Sequence, residues 1–187
     1  MIIIGITGTL GAGKGTMVDY LVENHDFAHF SVRSYLQREM EIRKMPNNRD
    51  SMTLLANELR ALHSPSFITD ELYKEALQSG KNCIIESIRT PGEVYSLRQK
   101  GQFYLFAIDA QAQLRYDRIK LRASATDHIS FDTFMANEAR EMNSTDPNKQ
   151  NLKKCIELAD FCFNNNSSRE KLEQETEKVL QKLRKHE

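Results

Sequence analysis

The residue types and spacing with the clearest chemical meaning lie in a glycine-rich segment near the start of the sequence. Residues 8–16 are Gly-Thr-Leu-Gly-Ala-Gly-Lys-Gly-Thr. A glycine, four further residues, then glycine and lysine are typical of a loop whose backbone N–H groups surround phosphate oxygens. Lys14 is placed to reach the outermost phosphates as a point charge. The segment predicts a nucleotide phosphate site formed by Gly8, Leu10, Gly11, Ala12, Gly13, Lys14, Gly15 and Thr16.

Two oxygen-bearing side chains are candidates for a Mg²⁺ site. In loops of this kind the residue after the lysine is usually serine or threonine, whose hydroxyl binds the metal. Here Gly15 follows Lys14 and Thr16 comes next, so the spacing leaves a direct bond from Thr16 to Mg²⁺ open. Glu86 ends an apolar run, where three roles are open: coordinating Mg²⁺ through water, taking a proton from an acceptor, or capping a neighbouring loop.

Several arginines follow predicted strands or lie on one predicted helix face. Arg89 lies in the turn after an apolar strand, and we expect it to hold a phosphate on the acceptor. Arg33 follows a shorter strand-like run and is a second candidate for acceptor binding. Spacings of three and four place Arg115, Arg118 and Arg122 along one helix face. Such a row is either a solvated face or a functional one. We expect Arg118 and Arg122 to be functional and to stabilise the negative charge of the transferred phosphoryl group.

These candidates need strands and helices that bring them to one edge of the molecule. Apolar runs predict strands at residues 2–6, 27–30, 82–86, 103–108 and 161–163. Helical patterns lie between them, so we expect a three-layer α/β fold with about five parallel strands and helices on both faces. Ligands of such sheets lie beyond the carboxyl ends of the strands. The glycine-rich loop, residues 86–89, Asp109 and residues 164–168 should therefore meet there.

The chain is predicted to form one domain over residues 1–187, because no stretch is rich enough in Pro, Gly or Ser to divide it. Residues 31–79 are predicted to be a helical insert that binds the acceptor. Residues 115–143 are predicted to be a lid region, in which the polar segment 123–129 folds over the nucleotide and excludes water.

Capping residues predict where some of the helices start. Thr90-Pro91-Gly92-Glu93 is a capping-box pattern with proline in the first turn. Ser130 is the predicted cap of the helix that follows the polar segment. Ser51 is the predicted cap of a helix within the insert, whose apolar face is formed by Leu54, Leu55, Leu59 and Leu62.

The composition argues against some classes of function and indicates a compartment. The 26 basic and 26 acidic residues give a formal net charge of zero, which argues against a non-specific binder of nucleic acid or of a membrane. The three cysteines have no metal-ligand spacing. Cys83 and Cys162 lie in apolar runs, so buried free thiols and a reducing, cytoplasmic compartment are expected. The apolar start is too short for a signal peptide, and we expect a monomer or homodimer.

Two segments resemble nucleoside monophosphate kinases. Residues 8–16 resemble the phosphate loop of adenylate kinase and its relatives. Residues 85–90, Ile-Glu-Ser-Ile-Arg-Thr, resemble the Leu-Asp-Gly-Phe-Pro-Arg-Thr segment of adenylate kinases, whose arginine binds the acceptor phosphate. This resemblance implies that role for Arg89. Residues 31–37 loosely resemble the acceptor segment, but Gln37 stands where that family has arginine, so Arg33 or Arg38 would replace it.

The second half of the chain is similar to dephospho-CoA kinases. Residues 159–166, Ala-Asp-Phe-Cys-Phe-Asn-Asn-Asn, are similar to their Ala-Asp-x-x-Ile-x-Asn-Asn-Gly run, whose turn lies against the adenine of ATP. The resemblance implies that Asn165 contacts the nucleotide, and that Arg118 and Arg122 belong to a lid. An archaeal family similar to both kinases has Ile-Arg-x-x-x-Glu-Val, as at residues 88–94 here.

Together these features predict a kinase that uses ATP and Mg²⁺ and acts on a small phosphate-bearing molecule. The first expected acceptor is a nucleoside or deoxynucleoside monophosphate, and dephospho-CoA is the second. A nucleotide switch or regulatory ATPase, with the helical insert contacting a partner, is the alternative from another class. In either case neither nucleic acid nor a membrane is an expected partner.

Overall fold

A computed structural model of the protein describes residues 1–122 and 129–184. The strands are β1 (Ile3–Gly8), β2 (Ala28–Ser31), β3 (Cys83–Glu86), β4 (Phe103–Asp109) and β5 (Phe161–Asn164). They form one sheet in the order β2-β3-β1-β4-β5, and every neighbouring pair is parallel. This confirms the predicted parallel α/β sheet.

Helices connect the strands and cover both faces of the sheet. They are α1 (Lys14–His25), α2 (Val32–Ile42), α3 (Arg49–Leu62), α4 (Phe67–Ser79), α5 (Pro91–Arg98), α6 (Ala112–Arg122), α7 (Phe131–Met142), α8 (Leu152–Glu157) and α9 (Arg169–Arg184). The predicted insert therefore contains three helices, α2 to α4. In the predicted lid region, α6 and α7 are described, whereas residues 123–128 lie outside the described residues. No helix in the described ranges has both the length and the apolar character needed to cross a membrane.

Two hydrophobic cores lie on opposite faces of the sheet because neighbouring side chains of a strand point to opposite sides. Ile3 packs in the core that includes residues of α2, α3, α4 and α5. Ile4 and Ile6 pack in the other core, with Leu21 of α1 and Leu180 of α9. Both faces of β1 are thus buried, as its continuous apolar sequence predicts.

The register of the strands brings their carboxyl ends to one edge. Gly8 pairs with Ile108, one residue before the end of β4. Asp109 pairs with Asn164. Ser31 pairs with Glu86. The chain segments that leave these strands therefore start close together, which is the arrangement that the sequence predicts.

The predicted caps of α5 and α7 are confirmed, but the predicted start of α3 is wrong. Thr90 and Glu93 form the capping box of α5, and Ser130 accepts a hydrogen bond from the Thr133 amide. Helix α3 begins at Arg49 because Asn48, not Ser51, is its cap: the side-chain oxygen Oδ1 of Asn48 accepts from the Ser51 N–H at 2.9 Å.

The predicted buried face of α3 and one predicted buried cysteine also need correction. Leu55 and Leu59 are buried, whereas Leu54 and Leu62 are 63% and 70% exposed. The buried face instead continues through Arg60, whose charge is paired inside the protein. Cys162 is exposed; it lies on β5, one of the two edge strands of the sheet.

Candidate active site

The glycine-rich loop connects β1 to α1 and adopts backbone angles that favour glycine. Gly8, Gly11 and Gly13 have φ of +136°, +78° and +104°. Gly8 also lies against β4, where a Cβ at its position would be 2.0 Å from the Ile108 carbonyl oxygen. Gly13 is the residue before α1, so its conformation sets the direction in which the helix starts. The glycines are therefore required by the path of the loop.

Side chains from three parts of the fold bind the carbonyl groups of this loop. The Lys14 ammonium donates to the carbonyls of Gly8 at 3.0 Å and Thr9 at 2.7 Å. The Arg115 guanidinium donates to the Leu10 carbonyl at 3.2 Å, and the Asn165 amide donates to the Ala12 carbonyl at 2.8 Å. By contrast, the first N–H groups of α1 have no acceptor within the helix. The positive end of the helix dipole lies at the same place as these N–H groups. Both favour the binding of an anion at this end of α1.

Lys14 is a desolvated cation in a region of mixed charge. Burial is the main cause that lowers its pKa to about 8, and the positive charge of Arg89 acts in the same direction. The carboxylates of Glu86 and Glu141 act in the opposite direction. An anionic ligand would stabilise the charged form of Lys14, because it would bring negative charge next to the ammonium group.

Glu86, at the end of β3, is a carboxylate held by two residues of β2. The Ser31 hydroxyl donates to Glu86 Oε2 at 3.2 Å, and His29 Nε2 lies 3.7 Å from the same oxygen. Burial acts to raise the pKa of Glu86, but the interactions with His29 and the charge of Lys14 outweigh it and lower the pKa to about 2. Glu86 is therefore ionised at neutral pH.

Arg89 and Arg49 share one carboxylate, that of Glu141 on α7. Each guanidinium is bound to a different oxygen of Glu141. Arg89 Nη1 also donates to Gln150 Oε1 at 3.0 Å. Burial acts to raise the pKa of Glu141, but the charges of Arg89 and Arg49 outweigh it and lower the pKa. This cluster joins the start of α3, the turn after β3 and α7.

The arginines of α6 divide between two environments. Arg115 is buried, and its guanidinium binds Glu138 of α7 and the carbonyls of Ala110 and Leu10. Arg118 Nη2 donates to the backbone carbonyl of Asn165, the residue that follows β5, at 2.9 Å. Arg118 and Arg122 line the central cavity. Arg115 thus supports the glycine-rich loop from behind, although the helical spacing suggested one common face for the three arginines.

A cavity of about 630 Å³ lies at the carboxyl edge of the sheet and collects most of the predicted site residues. Those lining it are Leu10, Gly11, Gly13, Lys14, Gly15, Thr16, Arg33, Glu86, Arg89, Arg118 and Arg122. Gly8, Ala12 and Asn165 are not among its described lining residues. Asn165 is buried behind the loop and supports it through the Ala12 carbonyl.

We expect Gly13→Ala to lower the free energy of unfolding by about 2 kcal/mol, the cost of an unfavourable backbone conformation with a local clash. Gly13 has φ of +104°, and a Cβ there would lie 2.3 Å from Asn165 Nδ2. Urea unfolding measures the change. Gly15→Ala is the matched control, because in the described part of the chain no heavy atom lies within 4 Å of its Cβ position. The control should change the free energy by less than about 1 kcal/mol, and equal losses in both variants would contradict the prediction.

Comparison with known proteins identifies the family and supports the fold. The family model described as "AAA domain" (AAA_18) matches residues 4–146. The chain belongs to this family. A UPF0200 protein of Pyrobaculum aerophilum is 28% identical over 184 residues, which cover 97% of this chain and 98% of that protein.

Solved kinase structures share the fold at low sequence identity. Shikimate kinase from Bacteroides thetaiotaomicron has a TM-score of 0.55 at 14% identity, with 98% of each chain covered. Dephospho-CoA kinase from Campylobacter jejuni has a TM-score of 0.53 at 16% identity, with 96% of each chain covered. These likenesses confirm the predicted fold, a parallel α/β sheet of the P-loop kinase type.

The match to the AAA-domain family includes the glycine-rich loop, the three insert helices, α6 and α7. All described residues that line the cavity fall within it, except Gln150. Asn165, which supports the loop from β5, lies beyond the matched range.

Sequence reasoning missed several residues of this site, four of which matter most for its charge and hydrogen bonds. They are Arg49, Arg60, Glu141 and Gln150, which all line the cavity. Arg60 carried no usable local signal, because an arginine next to the predicted apolar face of α3 is ordinarily exposed. For Glu141 no local pattern exists: its partners Arg49 and Arg89 are 92 and 52 residues away along the chain.

Proposed function

We propose that the protein is an ATP-dependent phosphotransferase whose acceptor is a nucleoside or deoxynucleoside monophosphate. One observation carries the proposal: the phosphate-binding type of loop and a set of basic residues from other segments line the same cavity. The basic residues are Lys14, Arg33, Arg49, Arg60, Arg89, Arg118 and Arg122, against the acidic residues Asp19, Glu86 and Glu141. Such an excess of positive charge suits two phosphate-bearing molecules bound side by side.

Each group of residues has a role in this proposal. The N–H groups at the start of α1 and the Lys14 ammonium bind the β- and γ-phosphates of ATP. Arg33 and Arg89 hold the acceptor phosphate, and Arg118 and Arg122 stabilise the negative charge of the transferred group. An acceptor phosphate oxygen forms the new bond to the γ-phosphorus, the bond to the bridging β,γ-oxygen breaks, and ADP leaves with that oxygen.

The residues present fit a Mg²⁺ ion that arrives with ATP. Mg²⁺ prefers oxygen ligands and is commonly held by one or two protein groups together with substrate phosphates and water. Thr16 and the ionised Glu86 both line the cavity and supply such oxygens. When bound, Mg²⁺ would supply neutralisation of phosphate charge, and Thr16 and Glu86 are the residues that would hold it.

The acidity of Glu86 favours a monophosphate acceptor over dephospho-CoA. A phosphate monoester is already ionised at neutral pH, so it needs no general base before it attacks. A ribose hydroxyl must lose a proton, and a general base works best with a pKa near the operating pH. Because the pKa of Glu86 is lowered to about 2, it is poorly suited to that task.

The experiment that tests the function is ADP production from Mg–ATP with a panel of acceptors. The panel contains each nucleoside and deoxynucleoside monophosphate, dephospho-CoA, and a sample without acceptor. Strong stimulation by a monophosphate would support the proposal. Stimulation by dephospho-CoA alone would make dephospho-CoA, and not a monophosphate, the assigned acceptor. Slow ADP release that no acceptor changes would favour a regulatory ATPase.

ATP binding at pH 8 is expected to transfer about half a proton per site from the buffer to Lys14. With a pKa of about 8, half of the Lys14 side chains are neutral at this pH, and the triphosphate should raise the pKa again. Calorimetry of ATP binding in buffers with different ionisation enthalpies measures this uptake. Lys14→Arg is the control, because arginine stays charged at this pH. Equal uptake by the control would show that another group takes the proton.

A further inference from the structure

Arg49 and Arg89 place two positive charges at one point of the cavity wall. Arg49 is the first residue of α3, and Arg89 lies in the turn after β3. Both residues line the cavity, and both guanidinium groups bind the carboxylate of Glu141, which lines it as well. Two arginines around one carboxylate form an anion site, and the anion here is a side chain of the protein itself.

The donors at this site exceed what the Glu141 carboxylate uses. Glu141 Oε1 accepts from Arg49 Nη2, and Oε2 accepts from Arg89 Nη1. Arg49 Nε is buried and donates to no acceptor among the described residues. A buried donor without an acceptor is costly, so such a group indicates a missing partner. A phosphate group has a third terminal oxygen for this N–H, whereas a carboxylate has only two oxygens.

Glu141 is placed on a helix that borders the segment between α6 and α7. Helix α7 is held to α6 by a second pair, Arg115 with Glu138, one turn before Glu141. The two glutamates therefore have different partners: Glu138 contacts a buried arginine behind the loop, and Glu141 contacts the arginines of the cavity. Releasing Glu141 would leave α7 connected through the pair of Glu138 with Arg115 and the pair of Arg140 with Asp50 of α3.

We infer that Arg49 and Arg89 are the subsite for the acceptor's phosphate, and that the Glu141 carboxylate occupies this subsite until the acceptor displaces it. The inference rests on the proposed function, to which it adds Arg49 as a binding residue and Glu141 as an internal competitor. In the exchange no covalent bond changes. The two guanidinium groups transfer their hydrogen bonds from the carboxylate to phosphate oxygens, and the Glu141 carboxylate becomes solvated.

The test is the affinity for inorganic phosphate while the nucleotide site is filled. The full-length protein is saturated with Mg²⁺ and the non-hydrolysable β,γ-imido analogue of ATP, so that the glycine-rich loop cannot bind the probe. Phosphate is then titrated by calorimetry. We expect Glu141→Gln to bind phosphate about tenfold more tightly than the wild type, because the competing charge is gone. Arg49→Gln, added to Glu141→Gln, should reverse this gain.

Glu138→Gln is the matched control, because it removes an equal charge and an arginine pair from the same helix. It should leave the phosphate affinity within about twofold of the wild type. If Glu141 only holds α7 in place, neither glutamine variant will bind phosphate more tightly, and the inference is overturned. Equal tightening by both variants overturns it too.

The two proposals fail in different ways. Phosphate binding is measured without turnover, so the subsite stands if Glu141→Gln and Arg49→Gln behave as expected even when no acceptor stimulates ADP release. Conversely, acceptor-stimulated ADP release together with an unchanged phosphate affinity in Glu141→Gln would support the function and reject the subsite.

Discussion

Lys14→Ala is expected to lower phosphoryl transfer by on the order of 10³-fold or more while the protein stays folded. Removing a charge that stabilises the transferred phosphoryl group has effects of this size in related chemistry. The Lys14 ammonium lies at the glycine-rich loop and contacts the carbonyls of Gly8 and Thr9. Acceptor-stimulated ADP production measures the loss.

The stability of the Lys14→Ala variant should change little, for a reason that follows from the sign of the pKa shift. The pKa of Lys14 is lowered on folding, so the charged lysine disfavours the native state, and this cost is present below about pH 8 and disappears as the pH rises towards 10.5. Replacing the lysine removes that cost, which offsets the two lost hydrogen bonds. A thermal unfolding midpoint close to the wild type would show this balance.

Lys153→Ala is the control for Lys14→Ala, because Lys153 is an exposed lysine on α8 outside the described cavity lining. It should retain transfer. A folded Lys14→Ala protein with wild-type turnover would exclude the assigned role of the loop. A variant that loses transfer together with its thermal unfolding transition would show that Lys14 is needed for the fold.

The parts of the fold that the sequence predicted are those that depend on local patterns. Continuous apolar runs fixed β1 and β4, because a strand buried on both faces has no polar alternation. The loop was recognised because its glycines, Lys14 and the flanking strand and helix are neighbours in sequence. Once the strands were placed, the rule that ligands lie at their carboxyl ends also located Glu86 and Arg89.

The parts that the sequence did not predict depend on contacts between distant segments. The role of Asn165 as a support of the loop requires knowing that the exit of β5 lies against Ala12, 153 residues earlier. Helical spacing placed Arg115 and Arg118 on similar faces. Only tertiary packing decides that Arg115 donates its hydrogen bonds to Glu138 and to the Leu10 carbonyl. Likewise, Glu93 was recognised as part of a capping box, whereas its pairing with Arg60 of α3 was not.

That pairing leads to the largest expected effect on stability: Glu93→Gln should lower the free energy of unfolding by about 3 kcal/mol or more. The side chains of Arg60 and Glu93 are 1% and 0% exposed, and breaking one partner of a buried pair leaves an uncompensated charge. Glu93 Oε1 accepts from Arg60 Nη2 at 2.9 Å, and Oε2 accepts from the amides of Arg89 and Thr90. Glutamine has one acceptor oxygen, so it cannot satisfy both sets of donors. Urea unfolding measures the change.

The same substitution should weaken acceptor binding, because Glu93 holds the backbone of Arg89 through a 2.7 Å hydrogen bond. The KM for the stimulating acceptor should rise more than the KM for ATP, a split that a general loss of stability would not produce. Glu75→Gln is the control, since it breaks an exposed pair with Arg38 and should cost less than about 1 kcal/mol. If Arg60→Met with Glu93→Gln is no more stable than Glu93→Gln alone, the buried charge of Arg60 is not the source of the loss. A recovery in that double variant, with the acceptor KM still raised, would separate the two functions of Glu93: neutralising Arg60 and positioning Arg89.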